Sequence, residues 1–197
     1  MIIGICGLIG SGKGTAADIL VEEHSYEKLS FADKLKDGVS SVFGWDRQML
    51  EGDTDNSRKW REQEDEFWTK ETGEAVTPRL ILQLFGTDCM RNGFYDGIWV
   101  SLVKQQLLEN KDKNYVIPDV RFENEATMIR SLGGKICQVR RGPDPLWWRL
   151  YKDLGQEPTD VHKSEWAWAN VQMDYVLAND GTTEDLKNLV KDHLVSI

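Results

Sequence analysis

Short apolar runs alternate along this chain with amphipathic stretches. Runs with the length of one β-strand lie at residues 2–6, 115–117, 135–139 and 175–178, with a weaker one near 28–31. Helical spacing follows most of them, at 16–21, 32–42, 98–108, 122–132 and beyond Thr182 and Thr183. Because strands that alternate with helices form parallel sheets covered on both faces, the pattern predicts an α/β fold.

Helix boundaries and two irregular regions refine this prediction. Thr77 followed by Pro78 is typical of a helix start, and Gly133 with Gly134 is typical of a helix end. Residues 45–73 are highly charged and lack a clear period, although 58–68 fit a helix. Residues 142–171 are rich in Trp, Pro and charge. Segments this long without regular structure are typical of lids and binding loops, while a variable surface insertion is the alternative for each.

The most informative motif follows the first apolar run. Residues 7–15 read Gly-Leu-Ile-Gly-Ser-Gly-Lys-Gly-Thr, between a predicted strand and a predicted helix. This order is typical of a phosphate-binding loop, in which glycines let backbone N–H groups approach the phosphates and the helix directs its positive end at them. The sequence therefore predicts a nucleotide-binding loop formed by Gly10, Ser11, Gly12, Lys13, Gly14 and Thr15.

The loop departs from its common form at one position. Gly14 stands where a magnesium-binding Ser or Thr usually follows the lysine, and the hydroxyl comes at Thr15. The run Gly-Ser-Gly-Lys-Gly-Thr resembles nucleoside monophosphate kinases of the adenylate kinase type. This resemblance implies that magnesium is held largely through water and by an acidic residue elsewhere in the chain.

A second constellation supplies such an acidic residue. Asp119 and Arg121 follow the predicted strand at 115–117. Ligands of doubly wound sheets bind at the carboxyl ends of the strands, so Asp119 would lie beside the loop if this strand pairs with the first one. There Asp119 would hold magnesium and Arg121 would reach a phosphate; a salt bridge at the strand end is the alternative.

Phosphoryl transfer depends mainly on positioning and charge neutralisation. We therefore expect two or three cationic side chains to converge on the transferred group. The candidates are Lys36, Arg79, Arg91, Arg140, Arg141 and Arg149.

Composition narrows the partners. The 197 residues carry a net charge of −9, which disfavours duplex nucleic acid as the main partner but leaves room for a small phosphorylated substrate. The three cysteines are widely spaced, so neither a zinc site nor a disulfide framework is predicted, and a reducing cytoplasmic setting is expected. No apolar run approaches the roughly 20 residues that span a membrane.

Several segments in order resemble the deoxynucleoside monophosphate kinases of tailed bacteriophages. Besides the loop, they read Phe-Ala-Asp-Lys-Leu-Lys at 31–36, Leu-Gln-Leu-Phe-Gly-Thr-Asp at 82–88 with Trp99 downstream, and Val-Ile-Pro-Asp-Val-Arg at 116–121. Val-Arg-Arg-Gly at 139–142, His-Lys-Ser-Glu at 162–165 and Asn-Asp-Gly-Thr at 179–182 complete the set.

The resemblance implies one phosphate-loop kinase domain over 1–197, with a monophosphate-binding insertion at about 32–110 and a lid at about 141–171. The implied reaction is ATP plus a deoxynucleoside monophosphate giving ADP and the diphosphate, with Mg²⁺, in the host cytoplasm. The implied catalytic residues are Lys13, Asp119, Arg121 and Arg141, with Asp119 as the metal ligand. Arg140, Asn179 and Gly181 would join the loop in binding ATP. The acceptor would be bound by Lys36, Arg79, Gln83, Thr87 and Asp88. A homodimer is left open.

Some positions depart from the family pattern or lack a role in it. Lys34 replaces a proline, and residues 45–73 have no counterpart that we can align. We interpret the lid tryptophans, Trp147, Trp148, Trp166 and Trp168, as packing rather than base-stacking residues. The motif that begins at His162 is interpreted as structural, because an acceptor phosphate needs no general base.

Other functions remain open at this point. A phosphate-loop kinase could act on a modified base in DNA or on a small metabolite, with Asp33 as the catalytic base for a hydroxyl acceptor. A binding module that holds ATP without turnover is a non-enzymatic alternative. A regulatory GTPase is disfavoured, because Asn-Lys-Asp-Lys at 110–113 lacks the final aspartate of the guanine-reading motif.

Overall fold

The computed structural model describes residues 1–161 and 163–195. Its β-strands are β1 (Ile2–Cys6), β2 (Tyr26–Lys28), β3 (Asn114–Ile117), β4 (Lys135–Arg140) and β5 (Tyr175–Ala178). Its α-helices are α1 (Lys13–His24), α2 (Asp33–Phe43), α3 (Asp55–Glu62), α4 (Glu66–Thr72), α5 (Pro78–Gln83), α6 (Ile98–Glu109), α7 (Glu123–Ser131), α8 (Leu146–Leu154) and α9 (Thr183–Val190). The π-helical segments are Leu84–Asn92 and Lys191–Val195, and the short 3-10 turns are Lys163–Glu165 and Ala167–Asn170.

The strands form one parallel sheet in the order β2-β3-β1-β4-β5. β1 lies in the centre and pairs in parallel with both neighbours, with Ile3 opposite Val116 on one side and Gly4 opposite Ile136 on the other. The predicted α/β class with a parallel sheet is confirmed. The order also satisfies the condition set for Asp119, because β3 is a direct neighbour of β1.

The alternation of side chains along β1 shows how helices cover both faces of the sheet. Ile3 and Ile5 join a fully buried apolar cluster to which α1 contributes Leu20 and α9 contributes Leu186. Gly4 points the other way, where an added Cβ would lie 2.6 Å from a methyl carbon of Ile129 on α7. The close approach of α7 to β1 therefore requires glycine at position 4.

The chain divides into two units. Unit 1 is Met1–Ser30 with Val103–Ile197 and contains the sheet, and unit 2 is Phe31–Leu102. The insertion expected at about 32–110 covers nearly the same residues as unit 2. The expected lid at about 141–171 lies in unit 1 and contains α8 and the two 3-10 turns.

Unit 2 has its own packing. Stacked and edge-on aromatic contacts join Phe43 to Trp45 and Trp68, and Trp45 to Trp60. The indole N–H of Trp99 donates to the carbonyl of Gly86, 3.0 Å away, within the π-helical segment. An aromatic cluster and helices α3 and α4 thus give residues 45–73 a defined structure.

Two predicted elements differ from the structure. The strand expected at 28–31 lies at Tyr26–Lys28, because the chain makes one further sheet hydrogen bond from Leu29 to Val116 and then turns at Ser30, whose hydroxyl donates to Asp119. The helix expected at 58–68 is two helices, since the Asp65 carboxylate accepts the N–H of Trp68 and starts α4 anew.

The predicted helix ends are confirmed. Thr77 caps α5 by accepting the N–H of Leu80, with Pro78 as the first helical residue. Thr182 and Asp185 cap α9 reciprocally. Gly133 follows α7 with φ of +79°, and its N–H donates to the carbonyl of Arg130.

One carboxylate fastens β5 to the sheet and should make stability depend on pH. Asp174 accepts the N–H of Ile136 at 2.9 Å and pairs with Arg130 and Lys135. Burial alone would raise the pKa of Asp174, but this hydrogen bond and the two cations outweigh it and hold the pKa below its usual value of 3.8. A lowered pKa stabilises the folded state above the unfolded pKa, and that contribution is lost as pH falls through the folded pKa.

Asp174→Asn should therefore lower the free energy of unfolding by about 1–2 kcal/mol at pH 7. The gap, meaning the difference in this free energy between variant and wild type, should narrow below pH 4. Urea unfolding at pH 7 and pH 3 measures this gap. Asp18→Asn, which removes one half of an exposed ion pair with Lys28, is the matched control and should change stability by less than about 0.5 kcal/mol. A gap for Asp174→Asn that is equal at both pH values would contradict the assignment.

Candidate active site

The loop between β1 and α1 has the backbone of an anion-binding cradle. Gly10 and Gly12 have φ of +77° and +98°, which glycine adopts at little cost. A Cβ at Gly10 or Gly14 would meet open space, so this side of the loop is accessible to a ligand. Gly12 offers no side-chain cap, which leaves the first N–H groups of α1, at Lys13, Gly14 and Thr15, directed at that space.

A hydroxyl within the loop also fits a bound anion. Ser11 is 3% exposed, and its buried Oγ has no hydrogen-bond partner among the described residues. Buried polar atoms are nearly always paired, so an unpaired one in a phosphate-binding motif fits a ligand that completes its hydrogen bonding.

Lys13 is folded back onto the loop. Its Nζ donates to the carbonyl oxygens of Gly7 and Leu8, at 2.8 and 2.9 Å. Burial lowers the pKa of Lys13 below its usual value, and the positive charge of Arg121 lowers it further, while Glu165 acts in the opposite direction. An arriving phosphate would supply a stronger acceptor than two neutral carbonyls.

Asn179 fixes the loop from the end of β5. Its side-chain amide donates to the carbonyl of Ser11 at 2.9 Å, and its backbone N–H donates to the carbonyl of Arg140 at 2.7 Å. Asn179 is 6% exposed, and a Cβ at Gly12 would overlap its amide nitrogen. These contacts describe Asn179 as a residue that positions the loop, and its expected part in binding ATP stays a prediction.

Asp119 lies beyond β3, at the same sheet edge as the loop. The hydroxyl of Ser30 donates to its carboxylate at 2.6 Å. No group of three or more His, Cys, Asp or Glu side chains that could hold a metal occurs within 1–161 and 163–195. A metal site that relies on one carboxylate, the nucleotide phosphates and water fits this arrangement, because Mg²⁺ in kinases usually binds in that way.

Arg121 is held by the lid segment. One of its guanidinium nitrogens donates to Ser164 at 3.0 Å and to Glu165 at 2.5 Å. The backbone N–H groups of Arg121 and Phe122 donate to the carboxylate of Glu125, which is 2% exposed. The turn that presents Arg121 is therefore fixed, while its side chain is paired with Glu165.

A cavity of about 430 Å³ opens beside the phosphate loop. Gly10 and Ser11 line it on the loop side, and Arg140, Arg141 and Glu165 line it from the other segments. Arg140 is paired with Asp144 at 3.0 Å, and Asp180 accepts the N–H of Gly142 at the start of the lid segment. The cavity thus joins the loop to two of the cations named as candidates.

Arg149 lies elsewhere. It lines a second cavity of about 290 Å³ with Arg140 and the buried Trp148 and Trp168. The rings of Trp148 and Trp168 are 4.5 Å apart, and Trp166 is also buried and packs on Tyr151. Packing as the role of these three tryptophans is confirmed; Trp147 is only half-buried and lines the larger cavity. His162 lies outside the described residues.

The acceptor candidates lie on three packed elements of unit 2. Lys36 is on α2, where it pairs with Glu51 at 2.5 Å, and Arg79 is on α5, where it pairs with Glu62 at 2.7 Å. Gln83 ends α5 and is exposed, as are Thr87 and Asp88 on the π-helical segment. Asp33, the base required for a hydroxyl acceptor, lies 3.4 Å from Arg47 in this unit.

Two residues of the site, Ser30 and Glu125, were not found from the sequence, and Glu165 appeared there only within the motif at 162–165, which was interpreted as structural. Ser30, Glu125 and Glu165 hold Asp119, the turn at Arg121 and the Arg121 side chain. Only Glu125 carried a usable signal, since a glutamate three residues into a predicted helix often accepts N–H groups at the helix start. Ser30 acts across a long sequence separation that no local pattern reveals.

The parallel sheet and the loop define the class of protein: a phosphate-loop kinase, which is an ATP-dependent phosphotransferase. The sequence profile described as deoxynucleotide monophosphate kinase matches residues 48–190. The chain belongs to the deoxynucleotide monophosphate kinase family. The kinase activity expected from the sequence is confirmed by the family assignment. The two alternative functions, an ATP-binding module without turnover and a kinase for another acceptor, are not favoured.

Individual relatives support the family assignment. A protein of Acanthamoeba polyphaga mimivirus assigned as a deoxynucleotide monophosphate kinase is 31% identical over 198 residues, covering 94% of this chain and 91% of that protein. The deoxynucleotide monophosphate kinase of Enterobacteria phage T4 is 29% identical over 119 residues, covering 59% of this chain and 44% of that protein. A dephospho-CoA kinase structure from Campylobacter jejuni covers 99% of this chain and 96% of its own at 13% identity, with a TM-score of 0.47, and plays no part in the assignment.

Among the helices within the described residues, none is long and apolar enough to cross a membrane.

The contact of Asn179 with the loop yields a prediction. Asn179→Ala removes the amide that satisfies the buried Ser11 carbonyl, so the free energy of unfolding should fall by about 1–3 kcal/mol and the KM for ATP should rise at least severalfold. Steady-state kinetics and thermal unfolding measure both effects. Asn188→Ala, on the exposed side of α9, is the control and should change neither. An unchanged KM for ATP in Asn179→Ala would show that the loop holds its shape without this contact.

Proposed function

We propose that this kinase transfers the γ-phosphoryl group of ATP to the phosphate of a deoxynucleoside monophosphate, giving ADP and the diphosphate. The observation that carries the proposal is the pairing of β1 with β3, which brings the phosphate loop and Asp119 to one sheet edge. The family assignment supports the reaction, and the site residues are our assignment from geometry.

The donor side of the reaction is assigned to unit 1. The N–H groups that open α1 and the unpaired hydroxyl of Ser11 would bind the ATP phosphates, and Lys13 would exchange its two carbonyl acceptors for phosphate oxygens. Arg140 and Arg141, which line the cavity beside the loop, would bind further phosphate oxygens or stack on adenine. Gly181 lies between Asn179 and the start of α9, and we therefore retain it among the residues assigned to ATP binding.

The metal site is assigned to Asp119. Magnesium, when bound, neutralises charge on the phosphates. Asp119 would hold the ion directly or through water, and its hydrogen bond from Ser30 orients the carboxylate. Thr15 is exposed at the first turn of α1, where it contributes a hydroxyl near the same phosphates.

The acceptor side is assigned to unit 2. Lys36, Arg79 and Gln83 provide cations and an amide for the monophosphate, and Thr87 and Asp88 provide polar groups on the next turn of the π-helical segment. Arg121 is paired with Glu165, so it is available to a phosphate only when that ion pair opens. The negative net charge supports free nucleotides over duplex nucleic acid, and the host cytoplasm is the proposed location.

The first prediction from this proposal concerns Lys13. Lys13→Ala should lower the turnover number at least about 100-fold while thermal unfolding stays cooperative, because it removes a cation aimed at the transferred group. ADP release measures turnover, and Lys104→Ala, on the exposed side of α6, is the control with near wild-type activity. Turnover of Lys13→Ala within about threefold of wild type would rule out this loop as the transfer site.

The second prediction concerns magnesium. Asp119→Asn keeps the shape of the side chain but removes its charge, so turnover should fall by about 100-fold or more and half-saturation should need a higher Mg²⁺ concentration. Ser30→Ala, which removes the orienting hydrogen bond and leaves the charge of Asp119, should have a smaller effect in the same direction. A titration with Mg²⁺ at saturating substrates separates the two variants. Wild-type magnesium dependence in Asp119→Asn would place the metal elsewhere.

A further inference from the structure

An arginine without a defined role lies at the end of α3. Arg61 is half-buried, and its Nε is buried without a hydrogen-bond partner among the residues that the structure describes. Its Nη1 donates to the carbonyl of Glu51 at 3.5 Å, the outer limit of a hydrogen bond. Within the described residues, no carboxylate forms an ion pair with Arg61. A buried guanidinium nitrogen that makes no hydrogen bond is costly, because it has lost water without gaining an acceptor.

The chain holds this guanidinium in place by means of a glycine. Gly52 has φ of +68°, and a Cβ built there would overlap the guanidinium carbon of Arg61 and two of its nitrogens. The guanidinium therefore lies directly against the backbone at position 52, and any larger residue would displace it. Its position depends on Gly52 rather than on an ion pair.

The nearby carboxylates are already engaged. Glu51 pairs with Lys36 at 2.5 Å and also with Arg47, and Glu62 pairs with Arg79. Burial lowers the pKa of Arg61, and the positive charge of Arg79 lowers it further, while Glu62 and Glu51 act in the opposite direction. Two arginines on packed helices, α3 and α5, are suited to bind one anion together.

We propose that Arg61 binds the phosphate of the acceptor monophosphate together with Arg79. A guanidinium group can donate two parallel N–H bonds to a phosphate, and a doubly charged phosphate monoester requires more than one cation. Helix α3, which carries Arg61, packs against α5, which carries Arg79 and Gln83. The inference rests on the proposed function, and it assigns a role to residues 45–73, for which the sequence offered no aligned counterpart.

The first test compares two arginines of one helix. In Arg61→Ala the KM for the deoxynucleoside monophosphate that wild type uses best should rise about 10- to 100-fold, while the KM for ATP stays within about twofold. Arg61→Lys should recover only part of this loss, because an ammonium group cannot donate in the bidentate geometry. Arg58→Ala removes an exposed guanidinium from the same helix and should leave both KM values unchanged.

The second test moves the guanidinium without deleting its charge. Gly52→Ala should raise the KM for the acceptor in the same direction as Arg61→Ala. Gly73→Ala is the matched control, since Gly73 has a similar φ of +75° but has open space where the Cβ would lie. Both substitutions place a side chain at a similar positive φ, but only Gly52→Ala also overlaps Arg61, so only Gly52→Ala should change the KM. Thermal unfolding checks that both variants fold cooperatively.

Binding without turnover gives an independent measurement. Titration calorimetry of the same monophosphate in the absence of ATP should show a 10- to 100-fold loss of binding affinity in Arg61→Ala and no loss of affinity in Arg58→Ala. An unchanged acceptor KM in Arg61→Ala, or an equal rise in the KM values for both substrates, would overturn the inference and leave the proposed function intact. A wild-type protein that transfers phosphate to no deoxynucleoside monophosphate would instead overturn the proposed function.

Discussion

The arrangement of the site depends on the central place of β1 in the sheet. Parallel hydrogen bonding to β3 on one side and β4 on the other fixes the direction in which all strands end. The phosphate loop follows β1, Asp119 follows β3, Arg140 ends β4 and Asn179 follows β5, so residues far apart in the chain meet at one edge. The apolar alternation of β1 maintains this order, because its two faces are buried against different helices. Chemistry at that edge is therefore a consequence of core packing.

Within that frame, the phosphate loop is shaped before any ligand arrives. Glycines supply its positive φ angles, Asn179 holds its Ser11 carbonyl, and Lys13 satisfies two more carbonyls from inside. The loop therefore needs little reorganisation when a ligand binds. The unfavourable part of the binding free energy comes mainly from desolvation and from the movement of Lys13. Arg121, in contrast to the loop, is not ready for a ligand, because its guanidinium forms an ion pair with Glu165 on the lid segment. In the proposed function, release of that pair would couple the lid to the phosphate that Arg121 would bind.

The sequence predicted most of unit 1 and less of unit 2, for a physical reason. In the sheet, strand periodicity and helix caps such as Thr182 and Gly133 are local signals, and they predicted four of the five strands closely. The strand β2 was placed too late because its end is set by Ser30 contacting Asp119, which is a long-range interaction. Arg61 and Gly52 gave no signal, since their contact arises from the fold of the charged segment and not from its periodicity. Ion pairs such as that of Arg121 with Glu165 likewise form between residues more than 40 positions apart.

The central claim is that the loop and Asp119 together transfer phosphate to a deoxynucleoside monophosphate. The most direct test is ADP release from ATP and magnesium with each of the four common deoxynucleoside monophosphates, their ribose counterparts and no acceptor. We expect release well above the acceptor-free rate with at least one deoxy form, and the pattern of active substrates assigns the base and sugar preference in the same assay. Release that never exceeds the acceptor-free rate, in a protein that still binds ATP, would contradict the central claim.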